Sequence, residues 1–382
     1  MRIVFISNYF NHHQKYISNE FLKKCASYNF ISTSEMRDER KKLGYGETII
    51  PDYVNQYNST NKTLLSELIG DCDVAIIGSA PQELINNRIK NNKLIFRYSE
   101  RPFKLKRSGI KYIPRFIKWH LHNPFGKPIY LLCASAYTYY DYSQYALFSR
   151  KAYKWGYFPE MKRYDVDRLL EGKNKTRILW CGRFLDWKHP DDVLTIVKRL
   201  KAEGYSFELN FIGTGEMEDQ LKIRAAEASL DGYVTFLGSM KPSQVRSHME
   251  QAGIYLFTSD RQEGWGAVLN ESMNSGCAVV ASHAIGAVPY LVKNNENGLI
   301  YQSGNVDMLY EKVKYLLDHP EEQKRLGKAA YRTITETWNA EVAAQRLINL
   351  AQHILNGEES PDLYENGPCS RAEIIKDDWF HE

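Results

Sequence analysis

No stretch of the 382 residues approaches 18 consecutive apolar side chains, so no membrane-spanning helix is expected. The opening run Met1-Arg2-Ile3-Val4-Phe5-Ile6-Ser7-Asn8 is too short and too early for a secretory signal. It reads as a first β-strand, and the chain is expected to stay in the cytosol. The six cysteines (Cys25, Cys72, Cys133, Cys181, Cys277, Cys369) include no Cys-x-x-Cys pair, and most sit in apolar runs. That argues against a metal or disulfide framework and for buried thiols. No repeat of 20–50 residues is present, which excludes solenoids and propellers.

Hydrophobic residues make up 43% of the chain and charged residues 25%, which describes an ordinary globular protein rather than a disordered one. The length allows two domains, each with its own core. The net charge of +4 hides an asymmetry. Residues 1–158 hold 24 Lys/Arg against 12 Asp/Glu, and the remainder holds 26 against 34. A basic half suits an anionic partner such as a membrane surface, a phosphorylated lipid or a nucleic acid; it is equally a solvated basic surface.

Short apolar runs alternate with amphipathic stretches throughout. Strands are predicted at 2–7, 30–33, 74–78, 94–98, 130–135 and 153–157, then at 178–182, 207–212, 234–237, 254–258 and 278–282. Helices are predicted between them, for example at 18–27, 62–69, 190–203, 217–229 and 243–252. This βαβα order demands parallel sheets with right-handed crossovers, and two such halves make two doubly wound α/β domains. A polar join is predicted at 159–175. After Ser303 the pattern turns helical, at 306–318, 320–335 and 339–355. The tail 356–382, with eight acids and two bases, reads as a mobile extension able to dock through Trp379 and Phe380.

Three motifs carry the chemistry. The strand Ile178–Gly182 runs into Arg183 and Lys188 at its carboxyl end, where open α/β sheets bind ligands. Arg can grip phosphate through paired N–H groups and Lys adds a point charge, although these two cations alone also fit a plain helix start. Next, Phe211-Ile212-Gly213-Thr214-Gly215 ends a strand in Gly-x-Gly. Glu218 occupies the place of the third glycine of a dinucleotide fingerprint, so nicotinamide binding is disfavoured and a nucleotide-pocket turn or a structural turn remains. The third motif is Glu263-Gly264-Trp265-Gly266-Ala267-Val268-Leu269-Asn270-Glu271, followed by Ser272 to Ser282. It predicts loop, helix, Gly stop and buried strand, with amides near Trp265 to Val268 pointing at an anion. If most of the interval were helical, its eight residues would span about 12 Å, the scale of a nucleotide sugar.

Taken together, these pieces resemble the retaining GT-B-fold glycosyltransferases marked by an E-x7-E motif, the family 4-like "glycosyl transferases group 1". The resemblance covers most of residues 175–345. It includes Thr235–Met240, His283–Tyr290 and Asn297–Tyr301 beside the motifs above. It implies two Rossmann-like domains facing an interdomain cleft: an acceptor-binding domain at 1–158, a linker at 159–175 and a nucleotide-sugar-binding domain at 176–337. A helix at 338–355 would cross back to the first domain, and 356–382 would be an acidic tail. Arg183 and Lys188 would hold the pyrophosphate, Glu263 the sugar hydroxyls and Glu271 the ribose. Gly182, Gly213, Gly264, Trp265, Gly266, Ala267 and Val268 would line the donor site, with Ser239 and Met240 beside the base.

The first half departs from the family. Where many members have a Gly-Gly loop after the first strand, this chain has Asn8 to Gln14. Where many have a histidine after the fourth strand, it has Arg97 to Pro102. His12, His13 and Glu100 are therefore the candidates to contact acceptor or sugar, and solvated or capping roles fit the histidines as well. Two adjacent His followed by Gln do not form a metal site by spacing. Residues 101–127 hold eight Lys/Arg and no acid, interleaved with Phe103, Tyr112, Phe116, Trp119 and Phe125. A basic amphipathic helix there fits an anionic membrane surface, or an aromatic face packed inside the domain. No nucleic-acid motif accompanies it.

The resemblance implies transfer of a sugar, by default from a UDP-hexose, to a hydroxyl of a lipid-linked or polysaccharide acceptor. The anomeric configuration would be retained by same-face attack. With Arg183, Lys188 and a helix tip stabilising the leaving diphosphate, no metal or cofactor is required. The alternatives are a sugar phosphorylase, a nucleotide-sugar epimerase, a non-catalytic nucleotide-sugar-binding protein and a membrane-surface scaffold. The expected location is cytoplasmic, with peripheral attachment to the inner face of the membrane.

Overall fold

In the computed structural model, which describes residues 1–36, 50–104 and 112–381, every named strand lies in one of two parallel sheets. The chain divides into two compact units: Met1–Pro159 with Asn339–Lys376, and Glu160–Trp338 with Asp377–Glu382.

The first unit carries β1 (Arg2–Ser7), β2 (Ser27–Ser32), β3 (Val54–Gln56), β4 (Val74–Ile77), β5 (Ile95–Ser99), β6 (Ile129–Cys133) and β7 (Ala152–Lys154). They lie in the order β3-β2-β1-β4-β5-β6-β7, and all neighbours pair in parallel. All of β4 and β6 is buried, as unbroken apolar strands of a sheet covered on both faces must be. The order reverses between β1 and β4, which makes their carboxyl ends a crevice. Here the helix His12–Lys24 starts, capped by Asn11, whose side chain accepts from the His13 N–H at 2.8 Å.

The helix Ala340–Leu355 also belongs to this unit. Asn339 caps it, and its buried Ala343, Ala344, Leu347 and Leu350 face inward. The following segment is no loose extension. Tyr130 Oη donates to Glu359 O at 2.8 Å, Tyr153 Oη donates to Pro361 O at 2.9 Å, and Tyr153 pairs with Arg371 in an antiparallel bridge. Polar composition suggested mobility there; tyrosines reaching up from the sheet override it.

The second unit carries β8 (Asn174–Cys181), β9 (Glu208–Ile212), β10 (Val234–Phe236), β11 (Ala252–Phe257), β12 (Ala278–Ser282) and β13 (Leu299–Tyr301) in the order β10-β9-β8-β11-β12-β13. Its core gathers Ile178, Trp180, Val197, Leu209, Phe211, Ile254, Val280 and Leu326. The stretch expected as a linker is structured: Asp165 caps a helix at Val166–Glu171, and β8 starts at Asn174. Lys173 is buried and donates to Met249 O at 2.9 Å and Ala252 O at 2.8 Å. At the chain's end, Phe380 is buried and stacks on His283, whose main-chain oxygen accepts from Trp379 Nε1 at 3.4 Å.

Candidate functional site

The order of the second sheet also reverses, between β8 and β11, and the sequence-predicted donor residues lie in loops, or in the helix Val268–Asn274, that follow the carboxyl ends of its strands. Leaving β8, residues 182–185 lie backbone-to-backbone against the loop leaving β9. Gly182 N donates to Ile212 O at 3.0 Å, Phe184 N to Thr214 O at 3.0 Å, and Gly213 N to Gly238 O in the loop leaving β10 at 2.8 Å. A side chain at Gly213 would put its Cβ 1.8 Å from Gly182 O, at a φ of +136°. The Gly-x-Gly turn is therefore explained by close packing of two loops. The same bonds carry Arg183, Ser239 and Met240 to this end of the sheet. Arg183 is exposed and makes no ion pair among the described residues; Ser239 is exposed and Met240 half-buried.

After Arg183 the chain makes one 3-10 turn, Asp186–Lys188, and His189 takes the left-handed conformation (φ 48°, ψ 50°) before Pro190 opens the next helix. Thr258 and Ser259, just past β11, hold this corner. The Thr258 hydroxyl accepts from Trp180 Nε1 at 2.9 Å and donates to Lys188 O at 2.6 Å. The Lys188 side chain then reaches Glu263: Nζ lies 2.5 Å from Oε2, and both side chains are largely buried. Ser259 Oγ donates to the same oxygen at 3.1 Å, and Oε1 carries no hydrogen bond among the described residues. His189 Nε2 stands 3.8 Å from Asp260 Oδ2, and that carboxylate raises the imidazole above its ordinary range.

The stretch between the two glutamates differs from expectation. Residues 264–267 form a turn, and the helix runs only from Val268 to Asn274, so half of the interval is non-helical and the 12 Å span does not apply. Glu271 sits in the first turn of that helix. Gly266 has a φ of +86°, and a Cβ there would lie 2.4 Å from the Phe257 ring, so the turn is pressed onto β11. Gly264, Trp265 and Ala267 are buried and Val268 half-buried. Trp265 is an anchor: its Nε1 donates to Asn270 Oδ1 at 2.9 Å and its ring packs on Tyr290 and Trp338. It can offer a ligand its backbone but not its indole. Burial pushes the Glu271 carboxyl up to about 7; Arg246 pulls it down and Glu160 pushes it up. Arg246 is itself held by Glu271 O at 3.0 Å, Glu160 O at 3.0 Å and Asn274 Oδ1.

In the first unit the structure assembles the remaining candidates. The His13 ring stacks on Tyr157 with centroids 5.4 Å apart, and His12 lies against His13 at 3.9 Å. Tyr157 Oη donates to Glu100 Oε1, and Lys104 Nζ donates to Glu100 Oε2 at 2.6 Å. Burial, with Glu100 second, raises the Tyr157 phenol well above its ordinary value. Tyr157 was expected at the end of a strand, but β7 stops at Lys154 and leaves it in the following segment. Thr258, Ser259 and Tyr157 had no signal in the sequence, since each acts through a partner distant along the chain.

Residues 162–333 match the family model described as glycosyl transferases group 1. The amylovoran biosynthesis glycosyltransferase AmsK of Erwinia amylovora is 26% identical over 183 residues, covering 47% of this chain and 45% of that protein. A GDP-mannose-dependent monoacylated α-(1-6)-phosphatidylinositol monomannoside mannosyltransferase of Corynebacterium glutamicum is 26% identical over 184 residues, covering 46% and 47%. The chain thus spans a little under half the length of these curated relatives. The crystal structure of Anabaena HepE in complex with UDP superposes with a TM-score of 0.68 at 12% identity, covering 92% of this chain and 100% of that one, so the GT-B fold is shared. Residues 162–333 are thus similar to the group 1 glycosyltransferases, and the chain shares the GT-B fold.

Proposed function

We propose that this chain transfers a sugar, with retention of anomeric configuration, from a nucleoside-diphosphate sugar to a hydroxyl of a lipid-linked or polysaccharide acceptor. The single observation that carries the reading is the juxtaposition of Lys188, Glu263 and the loop bearing Arg183 at the switch point of the second sheet. Lys188 has three N–H donors; one goes to Glu263 and two remain for a phosphate. Glu263 Oε1 accepts from sugar hydroxyls, while Lys188 and Ser259 hold Oε2. Arg183 meets the β-phosphate as charge builds on the leaving diphosphate, where a preorganised cation counts most. With these charges supplied by side chains, departure requires no metal. Glu271 accepts from the ribose, and a leaving phosphate oxygen takes the acceptor proton. Glu100, Tyr157 and the His12–His13 pair contact the acceptor or its sugar, and the basic first unit favours an anionic membrane as its working surface.

The default donor is a UDP-hexose. HepE was crystallised with UDP, whereas the C. glutamicum relative is GDP-mannose-dependent, so both bases enter the test. The experiment is a thermal-shift panel of nucleoside diphosphates and their sugars, followed by donor turnover with and without an acceptor extract. One nucleoside diphosphate should raise the melting temperature, and donor consumption should depend on acceptor. Acceptor-independent consumption would indicate an epimerase, and no shift from any nucleotide would remove the donor site from the second unit.

A further inference from the structure

We infer that the helix Tyr112–His122 and the turn that follows it, as far as Phe125, dock this chain on a bilayer surface containing anionic lipid. The inference deepens the proposed function's expectation that the basic first unit works at an anionic membrane. It names the element that makes the contact.

The helix has no buried residue. Ile113, Ile117 and Leu121, spaced four apart on one face, are 70%, 54% and 72% exposed, and Phe125 beyond the helix is 74% exposed. Phe116 is exposed beside them; Tyr112 is also exposed, but its ring stacks on Tyr145 with the anchored face. Six of the thirteen exposed large hydrophobics among the described residues thus fall within these fourteen positions, which makes a patch rather than the usual scatter. The opposite face is anchored: Arg115 lies over the Phe103 ring at 4.7 Å, and Trp119 packs on Tyr142 and Tyr145, each at 4.8 Å. The apolar residues are therefore presented outward by a seated helix. Phe125 and Lys127 also line a cavity of about 100 Å³ with Ile129, Leu147, Phe148 and Lys151, which carries the same mixture of apolar wall and lysine past the end of the helix.

Charge selects the occupant. No Asp or Glu occurs between Glu100 and Asp141. Lys118 is exposed on the helix, with Arg115 and Lys127 nearby in the chain. An amphipathic helix lying in the headgroup plane wants this pairing of aromatic and aliphatic face with basic flanks. A second copy of the chain would bring identical cations together across a two-fold axis, where like charges oppose association. No helix among the described residues is long and apolar enough to span the bilayer, so the mode is interfacial. Residues 105–111 of the basic stretch lie outside the described residues.

The test is sedimentation of the full chain with phosphatidylcholine vesicles and with vesicles also containing phosphatidylglycerol. The chain should sediment with the anionic vesicles only, and less so at high salt. The double substitution Ile117→Glu with Leu121→Glu should cut the bound fraction about tenfold or more, and Lys118→Glu should weaken binding to anionic vesicles. Both variants change exposed side chains and should keep the wild-type melting curve and nucleotide thermal shift. Absence of vesicle binding, or full binding by the double variant, would overturn the inference. So would wild-type self-association that disappears in the double variant without any vesicle binding. Vesicle binding by a chain that shows no nucleotide shift would uphold the docking surface and sink the transferase reading instead.

Discussion

At the scale of single residues, three side chains of the candidate donor site make separable demands. Arg183 is exposed and makes no ion pair among the described residues, so removing it leaves no described buried group stranded. Arg183→Ala should keep the melting temperature and lower turnover by the worth of one lost oxyanion donor, ~2.7–4 kcal/mol, read from kcat, while weakening affinity for free diphosphate by less. Lys188 differs, because its loss strands the largely buried Glu263 carboxylate. Lys188→Ala should therefore cost stability as well as turnover, about 3–5 kcal/mol by denaturant titration, and Lys188→Ala with Glu263→Gln should recover part of it. Glu271 makes a pH-dependent demand. Its folded carboxyl is raised to about 7, above its unfolded value. Its contribution to stability is thus full below the ordinary carboxylate range and is lost as pH rises through about 7. Melting temperatures from acid to neutral pH should show that decline in the wild type and lack it in Glu271→Gln. Equal slopes would mean that Glu271 titrates normally.

At the scale of elements, both Gly-x-Gly turns were legible as turns, but their cause was not. Positive φ and backbone contact with a neighbouring loop explain Gly213, and an aromatic ring on β11 explains Gly266. Gly213→Ala should cost more than the roughly 1–3 kcal/mol of a strained backbone alone, because Gly182 O must also move. Gly204→Ala, at a φ of +84° with open space around it, is the matched control and should show the backbone term only. Differential scanning calorimetry of the two variants separates clash from strain. The helix after Glu263 was placed correctly at its far end. It starts only at Val268, so helix does not fill most of the interval between the glutamates, because Gly264 to Ala267 fold as a turn around the buried Trp265.

For the whole molecule, the two parallel sheets follow from unbroken apolar strands separated by amphipathic stretches. β3 and β13, three residues each, were not among the predicted strands. If the second unit holds the donor, nucleoside diphosphate at a hundred times its dissociation constant should stabilise the native state by about 2.7 kcal/mol. The gain should vanish in a Lys188→Ala with Glu271→Ala variant, as isothermal calorimetry and melting curves would show together. The acidic tail shows how composition misleads at this scale. Eight acids promised solvation, yet Phe380 is buried and the main-chain oxygens of Glu359 and Pro361 accept from tyrosines of the first sheet.

Periodicity and local motif, read along the chain, determined the α/β class, the parallel sheets, the loops that carry Arg183, Lys188 and Glu263, and the helix that carries Glu271. These are properties of neighbouring residues, and hydrophobic spacing reports them directly. Only the tertiary structure decided that Lys188 and Glu263, 75 residues apart, form one ion pair, and that Tyr157 closes on Glu100 across 57. It also decided that the apolar face at 113–121 points outward. The same helical spacing serves a buried face and an exposed one equally well, and which it becomes depends on what the rest of the chain brings against it.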